Sequence, residues 1–406
     1  MKLSEELQWR GFVHQTTLGN IAELDTEPRT FYWGVDPSAD SMQVGNFAIA
    51  MMIRHFISHG HKAVLLVGGA TGMIGDPGGK DEERQLKPIE EIEKNKAGIV
   101  AQYKRVFGDL PFTVVDNYEW FKDISYLNFL RDVGKHFSMT QLLDRDFVQS
   151  RIGEGGSGIS YAEFSYSLIQ GYDFLHLFRT HGVTLQVCGS DQWGNSISGV
   201  DLIRKIEGGE AHIWSAPLVI NKVTGKKFGK TEGGAVWLDE QKTSVFSFYQ
   251  FWLNVDDAGV ADYLKIYTLL TKGEIEALLS ESQAAPHKRI AQKRLAFEIT
   301  KLVHGQARAL AVQKITDVLF DGGSFDSMTT SELQELSKEI PSTSESRLIP
   351  ALVATGLATS NGEARRLLQS GAISINGQKL VEDMTVSGPT LVKKGKNTFC
   401  LISFLG

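Results

Sequence analysis

Two short apolar runs that each end in a glycine-rich turn constrain the fold of this 406-residue chain more than any other feature. Residues 63–67 run directly into the turn 68–72, and residues 184–187 run into the turn 189–191. Continuous apolar runs of strand length that alternate with helical stretches indicate a parallel sheet with helices on both faces. Ligands of such sheets bind at the carboxyl ends of the strands. The chain is therefore predicted to be an α/β protein with a binding site at its glycine-rich turns.

The remaining pattern divides the chain into successive parts. Further strands are predicted at 30–35 and 112–115, and a helix is predicted at 45–58. Residues 243–320 show helical periodicity with few strand signals, and they include a basic helix around 288–294. An α-helical part is therefore expected to follow the sheet.

A linker and a small third unit are predicted at the end of the chain. Residues 321–346 are rich in Ser, Thr, Asp and Glu, which is typical of a linker. From Arg347 onward, helical patterns at 348–355 and 362–368 precede Asn376-Gly377. An Asn-Gly pair between alternating residues is the strongest short-range signal for a β-hairpin.

Composition excludes several classes of protein. No apolar run approaches the ~18–20 residues that a membrane span needs, and the first eight residues lack the apolar segment of a secretory signal. Two cysteines exclude a disulfide framework and a four-cysteine zinc site, and they fit a reducing cytosol. Residues 341–406 carry a net charge of +3 and the rest carries −9, which suggests a polyanion bound by the tail. A chance fluctuation explains this asymmetry equally well.

Two segments near the first strands are candidates for binding phosphate or an ammonium group. A helix that begins near Gly45 presents backbone N–H groups to an anion, and Ser38, Gln43 and Asn46 add hydrogen-bonding side chains, although a plain helix cap remains an alternative. The glycine-rich turn after residue 67 contains a single Asp, Asp76, and is followed by two bases. The two bases are Lys80 and Arg84. Asp76 suits an ammonium group and the bases suit phosphate. The alternative is that the turn is only a flexible loop.

Three further segments carry chemistry. Tyr166, Gln170 and Asp173 lie at i, i+4 and i+7, so they share one helical stripe that suits a small zwitterion or a neighbouring polar element. Asp191 follows a predicted strand, where an Asp commonly binds ribose hydroxyls or caps a helix. The loop 225–234 is flanked by glycines and carries two lysines three residues apart, Lys227 and Lys230. This spacing suits the binding of phosphate from two sides. The alternative is a solvated charged loop.

A histidine pair is a weaker candidate. His55 and His59 are four residues apart on a predicted helix, which is a spacing that can bind a metal. The intervening residues do not form the His-Glu-x-x-His motif, and a histidine near a helix C-terminus also suits the helix dipole. No metal site is predicted.

Together these segments resemble, in order and over essentially the whole chain, the bacterial-type tyrosyl-tRNA synthetases of class I. The most specific matches are 68–76, the stripe of Tyr166, Gln170 and Asp173, 189–195, and Lys227-Phe228-Gly229-Lys230-Thr231, which is similar to the Lys-Met-Ser-Lys-Ser signature. The tail from Arg347 resembles the α-L RNA-binding module of a ribosomal protein.

The resemblance implies a Rossmann-like parallel-sheet catalytic domain, an α-helical domain and a small α+β RNA-binding domain. The implied boundaries are a catalytic domain with a connective insertion at 1–220, the lysine loop with the helical domain at 221–325, a linker at 326–346 and the α-L domain at 347–406.

The resemblance also implies the reaction and the residues that perform it. L-Tyrosine would be activated with Mg²⁺-bound ATP to tyrosyl-adenylate and transferred to the 3′ end of tRNA(Tyr) by a cytoplasmic homodimer without a permanently bound cofactor or metal. Tyrosine would be bound by Tyr32, Asp76, Tyr166, Gln170, Asp173 and Gln192. ATP would be bound by Gly34, Asp36, Ser38, Gly45, Gly189, Asp191 and Lys230. The catalytic groups would be Lys227, Lys230, Thr231, Lys80, Arg84, Gln43 and Asn46.

The chain departs from the family at the class I His-Ile-Gly-His signature. The corresponding residues are Gln43-Val44-Gly45-Asn46, so both histidines are replaced by amides, which donate hydrogen bonds but do not titrate. Trp33 and Ile49 stand where the family usually has smaller or polar groups near the ribose. The loss of both histidines supports one alternative, a catalytically lapsed RNA-binding relative of the synthetases. A tryptophan-specific synthetase is a nearer alternative, although Tyr32 and Asp173 together suit a phenol better than an indole.

Overall fold

The computed structural model describes residues 1–76, 87–231 and 234–404, apart from the side chains of residues 146, 147, 230 and 231. The described chain forms two compact units. The first contains Met1–Lys242 and Val255–Ala291. The second contains Thr243–Asn254 and the described residues from Gln292 onward. Each unit has its own sheet and its own hydrophobic core.

The strands alternate with helices along the first unit and cluster near the end of the second. They are β1, Gln15–Thr16; β2, Thr30–Val35; β3, Lys62–Val67; β4, Phe112–Asp116; β5, Leu185–Gly189; β6, His212–Ala216; β7, Lys230–Thr231; β8, Gly234–Ala235; β9, Ser342–Thr343; β10, Ile373–Ile375; β11, Gln378–Leu380; β12, Thr390–Lys394; and β13, Thr398–Ile402.

Helices make up most of the remaining regular structure. They are α1, Leu3–Arg10; α2, Val44–Ser58; α3, Gly69–Ile74; α4, Ile89–Phe107; α5, Tyr118–Phe121; α6, Tyr126–Asp132; α7, Met139–Leu143; α8, Asp146–Ile152; α9, Tyr161–His181; α10, Trp193–Glu207; α11, Val245–Leu253; α12, Val260–Tyr267; α13, Lys272–Ala284; α14, Ile290–His304; α15, Gln306–Phe320; α16, Thr330–Glu339; α17, Leu348–Ala354; and α18, Asn361–Gln369. Among the described residues, none of the helices has the length and apolar character needed to cross a bilayer.

The first unit is built on a six-stranded sheet with the order β1-β6-β5-β2-β3-β4. Strands β2 to β6 are parallel, and β1 pairs antiparallel with β6. The chain fills the sheet from β2 towards β4 and then returns to place β5 on the other side of β2. The strand order therefore reverses between β2 and β5, which is where open α/β sheets bind their ligands.

The predicted parallel sheet is confirmed, with strand ends that differ by one or two residues. The runs predicted at 30–35, 63–67, 112–115 and 184–187 occur as β2, β3, β4 and β5. The sequence pattern does not predict strand β6, because polar residues interrupt its apolar run, although all five of its residues are buried. Two of these polar groups are satisfied by the N-terminal segment, since Trp214 donates to the carbonyl of Phe12 and the Ser215 hydroxyl donates to that of Gln15.

The backbone of the glycine-rich turn after β3 lies very close to two carboxylates, those of Asp36 and Asp116. A Cβ on Gly69 would lie 2.3 Å from Oδ1 of Asp116, and one on Gly68 would lie 2.6 Å from Oδ1 of Asp36. The backbone N–H of Gly69 donates to Asp116 at 3.0 Å, and the N–H of Ala70 donates to the Asn117 side chain at 2.7 Å. These glycines are therefore required by the side chains at the end of β4 and after β2.

The second unit joins helices and the C-terminal sheet around shared cores. Strands β9 to β13 form a sheet with the order β11-β10-β12-β13-β9. The hairpin predicted at Asn376-Gly377 connects β10 to β11, with both turn residues at positive φ, 45° and 88°. One hydrophobic cluster contains residues of α15, α16, β12 and β13; its buried members are Ile315, Val318, Leu319, Phe325, Leu333, Leu336, Leu391, Phe399 and Leu401.

The segment 321–346, for which the composition predicts a linker, contains α16 and β9. Thr329 caps α16 by accepting from the N–H of Glu332, and the Glu332 carboxylate accepts from the N–H of Thr329 at 2.7 Å. This capping box starts a helix within a polar stretch, and Leu333 and Leu336 then become buried. The helical segment and the tail accordingly belong to one compact unit, whereas the sequence suggests two domains joined by a linker.

Candidate active site

A pocket of about 320 Å³ lies in the first unit at the carboxyl edge of the sheet, where the strand order reverses. Every predicted site residue whose side chain is described, and every predicted glycine, lines it. These residues are Tyr32, Gly34, Asp36, Ser38, Gln43, Gly45, Asn46, Asp76, Tyr166, Gln170, Asp173, Gly189, Asp191, Gln192 and Lys227. Segments far apart in the sequence thus meet around one cavity of the size that binds small molecules.

At the deep end of the pocket, a buried phenol lies near a buried carboxyl. The Tyr32 side chain is 1% exposed, and its hydroxyl has no hydrogen-bond partner among the described residues. Burial raises the pKa of Tyr32 well above its ordinary value, and the charge of Asp173 raises it further. Phe174 packs against the Tyr32 ring with centroids 5.1 Å apart. The hydroxyl is therefore held in place by packing and offers a hydrogen bond to a ligand.

Asp173 is oriented by two donors that the sequence pattern does not identify. Trp120 donates its indole N–H to Oδ1 at 2.9 Å, and Asn117 donates its amide N–H to Oδ2 at 3.1 Å. Burial is the main cause that raises the pKa of Asp173 to about 8, although both hydrogen bonds oppose it. Asn117 and Trp120 lie just beyond the carboxyl end of β4, which is the sequence signal that could have pointed to them.

A second group of polar side chains surrounds Tyr166 and Gln170, which lie on the same helical stripe as Asp173. The Tyr166 hydroxyl donates to Oδ2 of Asp36 at 2.8 Å. The Gln192 amide donates to Oδ2 of Asp76 at 2.6 Å. Oε1 of Gln170 is buried without a hydrogen-bond partner in the described part of the chain. Two carboxylates and an unpaired amide oxygen form an arrangement that suits a ligand ammonium group.

The start of α2 forms the opposite wall of the pocket. The backbone N–H of Gln43 donates to Oδ1 of Asn46 at 3.3 Å, so the Asn46 oxygen helps to cap the helix. Trp33 and Ile49 line the pocket as well, and the Trp33 ring packs on Tyr103 with centroids 5.5 Å apart. Apolar side chains thus lie beside the polar start of α2.

A carboxylate and a lysine approach each other at the mouth of the pocket. Desolvation raises the pKa of Asp191, Lys227 lowers it, and Asp76 raises it again. Lys227 lines the pocket from the loop that follows β6. The side chains of Lys230 and Thr231 and the whole of residues Lys80 and Arg84 lie outside the part of the molecule that is described.

A short backbone pairing places this lysine loop beside the start of α2. The N–H of Val236 donates to the carbonyl of Gly229 at 2.9 Å, and the N–H of Val44 donates to the carbonyl of Val236 at 3.1 Å. Trp237, which also lines the pocket, forms a bridge with Gln43. The two predicted phosphate-binding segments are therefore neighbours in the fold.

The histidine pair belongs to a different cluster. Nδ1 of His55 lies 3.3 Å and Nε2 of His59 lies 3.5 Å from the Glu6 carboxylate. Burial lowers the pKa of His55 to about 3. Within 1–76, 87–231 and 234–404, no group of three or more metal-ligating side chains occurs.

Comparisons with known proteins agree with this geometry. The family model described as “tRNA synthetases class I (W and Y)” matches residues 24–321, and that described as “Tyrosine--tRNA ligase SYY-like C-terminal domain” matches residues 332–402. The chain is 44% identical to Tyrosine--tRNA ligase 2 of Bacillus cereus, over 99% of each chain. It is also 44% identical to Tyrosine--tRNA ligase of Geobacillus stearothermophilus, over 100% of each chain.

Solved structures give the same result. A C-terminally truncated mitochondrial tyrosyl-tRNA synthetase of Aspergillus nidulans is 31% identical, with a TM-score of 0.71 over 79% of this chain and 94% of that one. A truncated mitochondrial tyrosyl-tRNA synthetase of Coccidioides posadasii is also 31% identical, with a TM-score of 0.68 over 78% of this chain and 92% of that one. The full-length matches, the two family models and the sheet topology agree, and the chain belongs to the bacterial-type tyrosyl-tRNA synthetases of class I.

Proposed function

We propose that this chain activates L-tyrosine with ATP and transfers the tyrosyl group to the 3′ end of tRNA(Tyr). The observation that carries the amino-acid assignment is the deep end of the pocket, where the unpaired Tyr32 hydroxyl and the Asp173 carboxyl flank the space for a phenol. A phenolic hydroxyl can both donate and accept, so it can pair with both groups, whereas an indole N–H only donates. The full-length relatives carry the name tyrosine–tRNA ligase, so a tryptophan-specific enzyme is not favoured.

The ammonium and carboxylate of the substrate are assigned to the next part of the pocket. Asp76 and Tyr166 bind the ammonium together with the unpaired oxygen of Gln170, and Gln192 lies beside the carboxylate. The Gln192 amide and the Asp76 carboxylate already hold each other through a hydrogen bond. The zwitterion thus enters a preorganised set of polar groups, which lowers the cost of fixing its position.

Adenylate formation follows from this placement. A carboxylate oxygen of tyrosine attacks the α-phosphorus of ATP, the bond to the β-phosphate oxygen breaks, and pyrophosphate leaves. The contribution of the protein is positioning and stabilisation of the phosphate charge. Asp191 and the backbone of Gly189 bind the ribose, with Gly34, Asp36 and Gly45 beside the nucleotide. Lys227, Lys230 and Thr231 bind the pyrophosphate with Lys80, Arg84 and Ser38.

Two parts of the nucleotide site differ from the usual signature. Gln43 and Asn46 donate amide hydrogen bonds to the phosphates, and because amides do not titrate, their protonation does not change with pH.

Mg²⁺ enters as part of the ATP substrate, held mainly by phosphate oxygens and water as is usual for this ion. The adenylate then reacts with a ribose hydroxyl at the 3′ end of the tRNA, which forms the ester and releases AMP.

The tRNA is assigned to the basic side of the second unit. Arg365, Arg366, Lys379 and Lys396 are exposed on α18, β11 and the turn between β12 and β13. In the basic helix predicted around 288–294, by contrast, Lys293 pairs with Asp321 at 2.6 Å and Arg294 pairs with Glu298 at 2.9 Å. Because those two bases are already neutralised, the tail supplies the larger share of phosphate contacts in this proposal.

A homodimer in the cytoplasm completes the proposal. Large apolar side chains are exposed along one stretch of the first unit, where isolated ones would be ordinary but a cluster indicates an interface. They are Tyr126 at 61%, Leu127 at 76%, Met139 at 57%, Ile152 at 47% and Tyr161 at 62% exposure. The hydroxyls of Tyr126 and Tyr161 lie 3.2 Å apart, so at least part of this set is contiguous. Sedimentation of Leu127→Asp tests the proposal, since an unchanged dimer would place the interface elsewhere.

Tyrosine-dependent exchange of pyrophosphate into ATP, followed by charging of tRNA(Tyr), tests the activity. Lys227→Ala should reduce exchange by about 10²–10³-fold with little change in tyrosine affinity, by analogy with the loss of an oxyanion-hole donor. Lys222→Ala is the matched control, because Lys222 lies on the same loop, is half-exposed and pairs with Asp262. Exchange that depends on tryptophan would support the tryptophan-specific alternative, and no exchange with either amino acid would support a lapsed relative.

A further inference from the structure

The aromatic residue between the two lysines of the loop 227–230 is buried, although the loop lies at the surface of the pocket mouth. Phe228 is 7% exposed, and its ring stacks on that of Tyr263 with centroids 4.1 Å apart and planes 24° apart. A second ring, that of Tyr267, lies 6.0 Å from Phe228. Both tyrosines belong to α12, which contributes no residue to the lining of the pocket.

The helix that seats Phe228 is also bound to the start of α2. The Tyr267 hydroxyl donates to the carbonyl of Val44 at 3.3 Å, and the Tyr267 ring stacks on Phe47 with centroids 5.7 Å apart. Val44 is the first residue of α2 and follows Gln43. Helix α12 therefore contacts both segments that are proposed to bind the phosphates.

The backbone beside Phe228 is fixed at the same place. Gly229 has a φ of +89°, and a Cβ on it would lie 3.0 Å from Cβ of Val44. Gly259 leaves room for the Tyr263 ring on which Phe228 stacks, because a Cβ at residue 259 would lie 2.5 Å from that ring. Only glycine suits the first position, where positive φ and close contact coincide. Steric fit thus brings the loop against α2 and α12 at Phe228-Gly229.

We propose that Phe228 is a positioning residue for adenylate formation, and that its seat on Tyr263 and Tyr267 sets the location of Lys227 relative to the start of α2. The inference rests on the proposed function, since it assigns to Phe228 the placement of a lysine that acts on phosphate. Phe228 also lines the pocket, and its role in this scheme is to hold the loop in place rather than to bind the substrates. It acts because a lysine on a loop stabilises transferring charge only where the loop is held within about 1 Å of its productive position.

Four single variants and one double variant test the proposal. Phe228→Leu and Tyr263→Leu each remove half of the stacked pair, while Tyr263→Phe keeps the ring and removes only a hydroxyl that has no partner among the described residues. Phe112→Leu is the matched control, because its ring packs on Phe107 and does not line the pocket. The measured quantities are the single-turnover rate constant of adenylate formation and the dissociation constants of tyrosine and ATP.

The expected pattern separates positioning from loss of structure. Phe228→Leu and Tyr263→Leu should each slow adenylate formation by about 10- to 100-fold and leave tyrosine affinity within about twofold. The double variant should be no slower than the slower single variant, because both remove the same contact. Tyr263→Phe and Phe112→Leu should retain the wild-type rate. Multiplicative effects in the double variant, an unchanged rate in Phe228→Leu or a parallel loss of tyrosine affinity would each overturn the proposal.

The contact between Phe228 and Tyr263 can also be tested by a measurement that does not depend on catalysis. Hydrogen–deuterium exchange of the peptide that covers residues 220–229 should accelerate in Tyr263→Leu and remain slow in Tyr263→Phe. Unchanged exchange in Tyr263→Leu would overturn the seat even if the wild-type protein is active. If the wild-type protein shows no tyrosine-dependent pyrophosphate exchange, the proposed function fails, and faster deuterium exchange would still establish the seat but not its catalytic role.

Discussion

At the scale of residues, we expect the choice of substrate to depend on a single hydroxyl group, that of Tyr32. Tyr32 is buried beside Asp173, and its hydroxyl lacks a partner in the described protein. Phenylalanine would leave the Tyr32 hydroxyl unpaired in the pocket, which costs ~1–3 kcal/mol for a buried polar group, and it would give Asp173 no hydrogen bond beyond those from Trp120 and Asn117. Tyrosyl-tRNA synthetases are themselves the standard example of this selectivity, so strong rejection of phenylalanine is a property of the family rather than a result derived from this pocket.

Tyr32→Phe should therefore lower the preference for tyrosine over phenylalanine several-fold. One of the two hydrogen bonds to the phenol is lost, while Asp173 and its donors Trp120 and Asn117 remain. Pyrophosphate exchange with each amino acid gives the ratio of kcat/KM values. Tyr103→Phe is a suitable control, because its hydroxyl is equally buried and unpaired among the described residues but does not line the pocket. An unchanged ratio in Tyr32→Phe would show that this hydroxyl does not select the substrate.

Asp173→Asn should stabilise the protein without substrate at pH 8 and have less effect at pH 5. Burial raises the pKa of Asp173 to about 8 from about 4, so between these values the folded state binds the proton and the unfolded state does not. Stability contributed by this group is then highest below pH 4 and falls as the pH rises to 8. Each unit of pKa shift corresponds to about 1.4 kcal/mol. The amide has no such dependence, so its melting temperature should exceed that of the wild type by more at pH 8.

The control is Glu276→Gln, which removes the same charge from a carboxylate that is 61% exposed on α13. Its melting temperature should follow that of the wild type across the pH range. A difference between Asp173→Asn and the wild type that grows towards pH 5 would contradict the assigned pKa direction.

Sequence reasoning at this scale succeeds where one element carries several functional groups. The spacing of Tyr166, Gln170 and Asp173 is sufficient to put them on one stripe, and α9 places all three along the pocket. Sequence reasoning fails where the hydrogen-bond donor to a site residue comes from another element. Asn117 and Trp120 follow a short strand, and nothing in their local pattern indicates that they point at Asp173.

At the scale of elements, one buried arginine joins the end of α1 to the end of α12. Arg10 at the end of α1 is 3% exposed, donates to Glu6 at 2.9 Å, and donates to the carbonyls of Lys265, Thr268 and Leu270 around the end of α12. The same Glu6 lies beside His55 near the end of α2. This guanidinium thus supplies the donors that the end of α12 lacks, and α12 is the helix that seats Phe228.

Arg10→Met should destabilise the first unit by about 3–5 kcal/mol, because the largely buried Glu6 carboxylate and three carbonyls lose their donor while the apolar stem is kept. Arg204→Met is the control, since Arg204 is 69% exposed and pairs with Asp201 within one helix. Such a pair is worth about 0–1 kcal/mol. Urea unfolding followed by far-ultraviolet circular dichroism measures both. Equal effects of the two substitutions would mean that Arg10 contributes no more than a surface pair.

The prediction of elements is most reliable where one periodicity runs without interruption. Strands β2 to β5 and helix α2 lie within one or two residues of their predicted positions, since the runs are rich in strand-forming residues and the helix has a regular helical pattern. Strand β6 escapes prediction because its Trp and Ser are satisfied by the N-terminal segment. Helix α16 escapes it because its polar composition outweighs its capping box. The first error arises from tertiary contacts that a local pattern does not contain, and the second arises from two local signals that disagree.

At the scale of the molecule, we expect the basic tail to affect the reaction with tRNA and not the activation of tyrosine. The double variant Arg365→Glu/Arg366→Glu should reduce tRNA charging by at least about tenfold at ~0.15 M salt and leave tyrosine-dependent pyrophosphate exchange unchanged. Both side chains are exposed on α18, so the fold should be retained. Lys272→Glu, an exposed lysine on α13, is the matched control. Normal charging by the double variant would remove the tail from the tRNA interface.

Deleting the tail would be a poor test of whether the tail binds tRNA. Leu391, Phe399 and Leu401 of the C-terminal sheet share a hydrophobic cluster with residues of α15 and α16. Strand β9 pairs with β13 as well, so the segment whose composition suggests a linker is part of the sheet. A truncated protein would expose this cluster, and lost charging would then report unfolding as well as lost contacts.

The shared cluster also has a consequence for inheritance. The two family models meet between residues 321 and 332, yet the apolar contacts of α15 with β12 and β13 cross that boundary. A gene fragment that begins after α16 would encode the C-terminal sheet without the helices that cover it. Recombination between relatives should therefore preserve the tail only when the crossover falls before α15, or when the incoming helices carry compatible side chains. Selection on this part of the protein acts on helices and sheet as one heritable block.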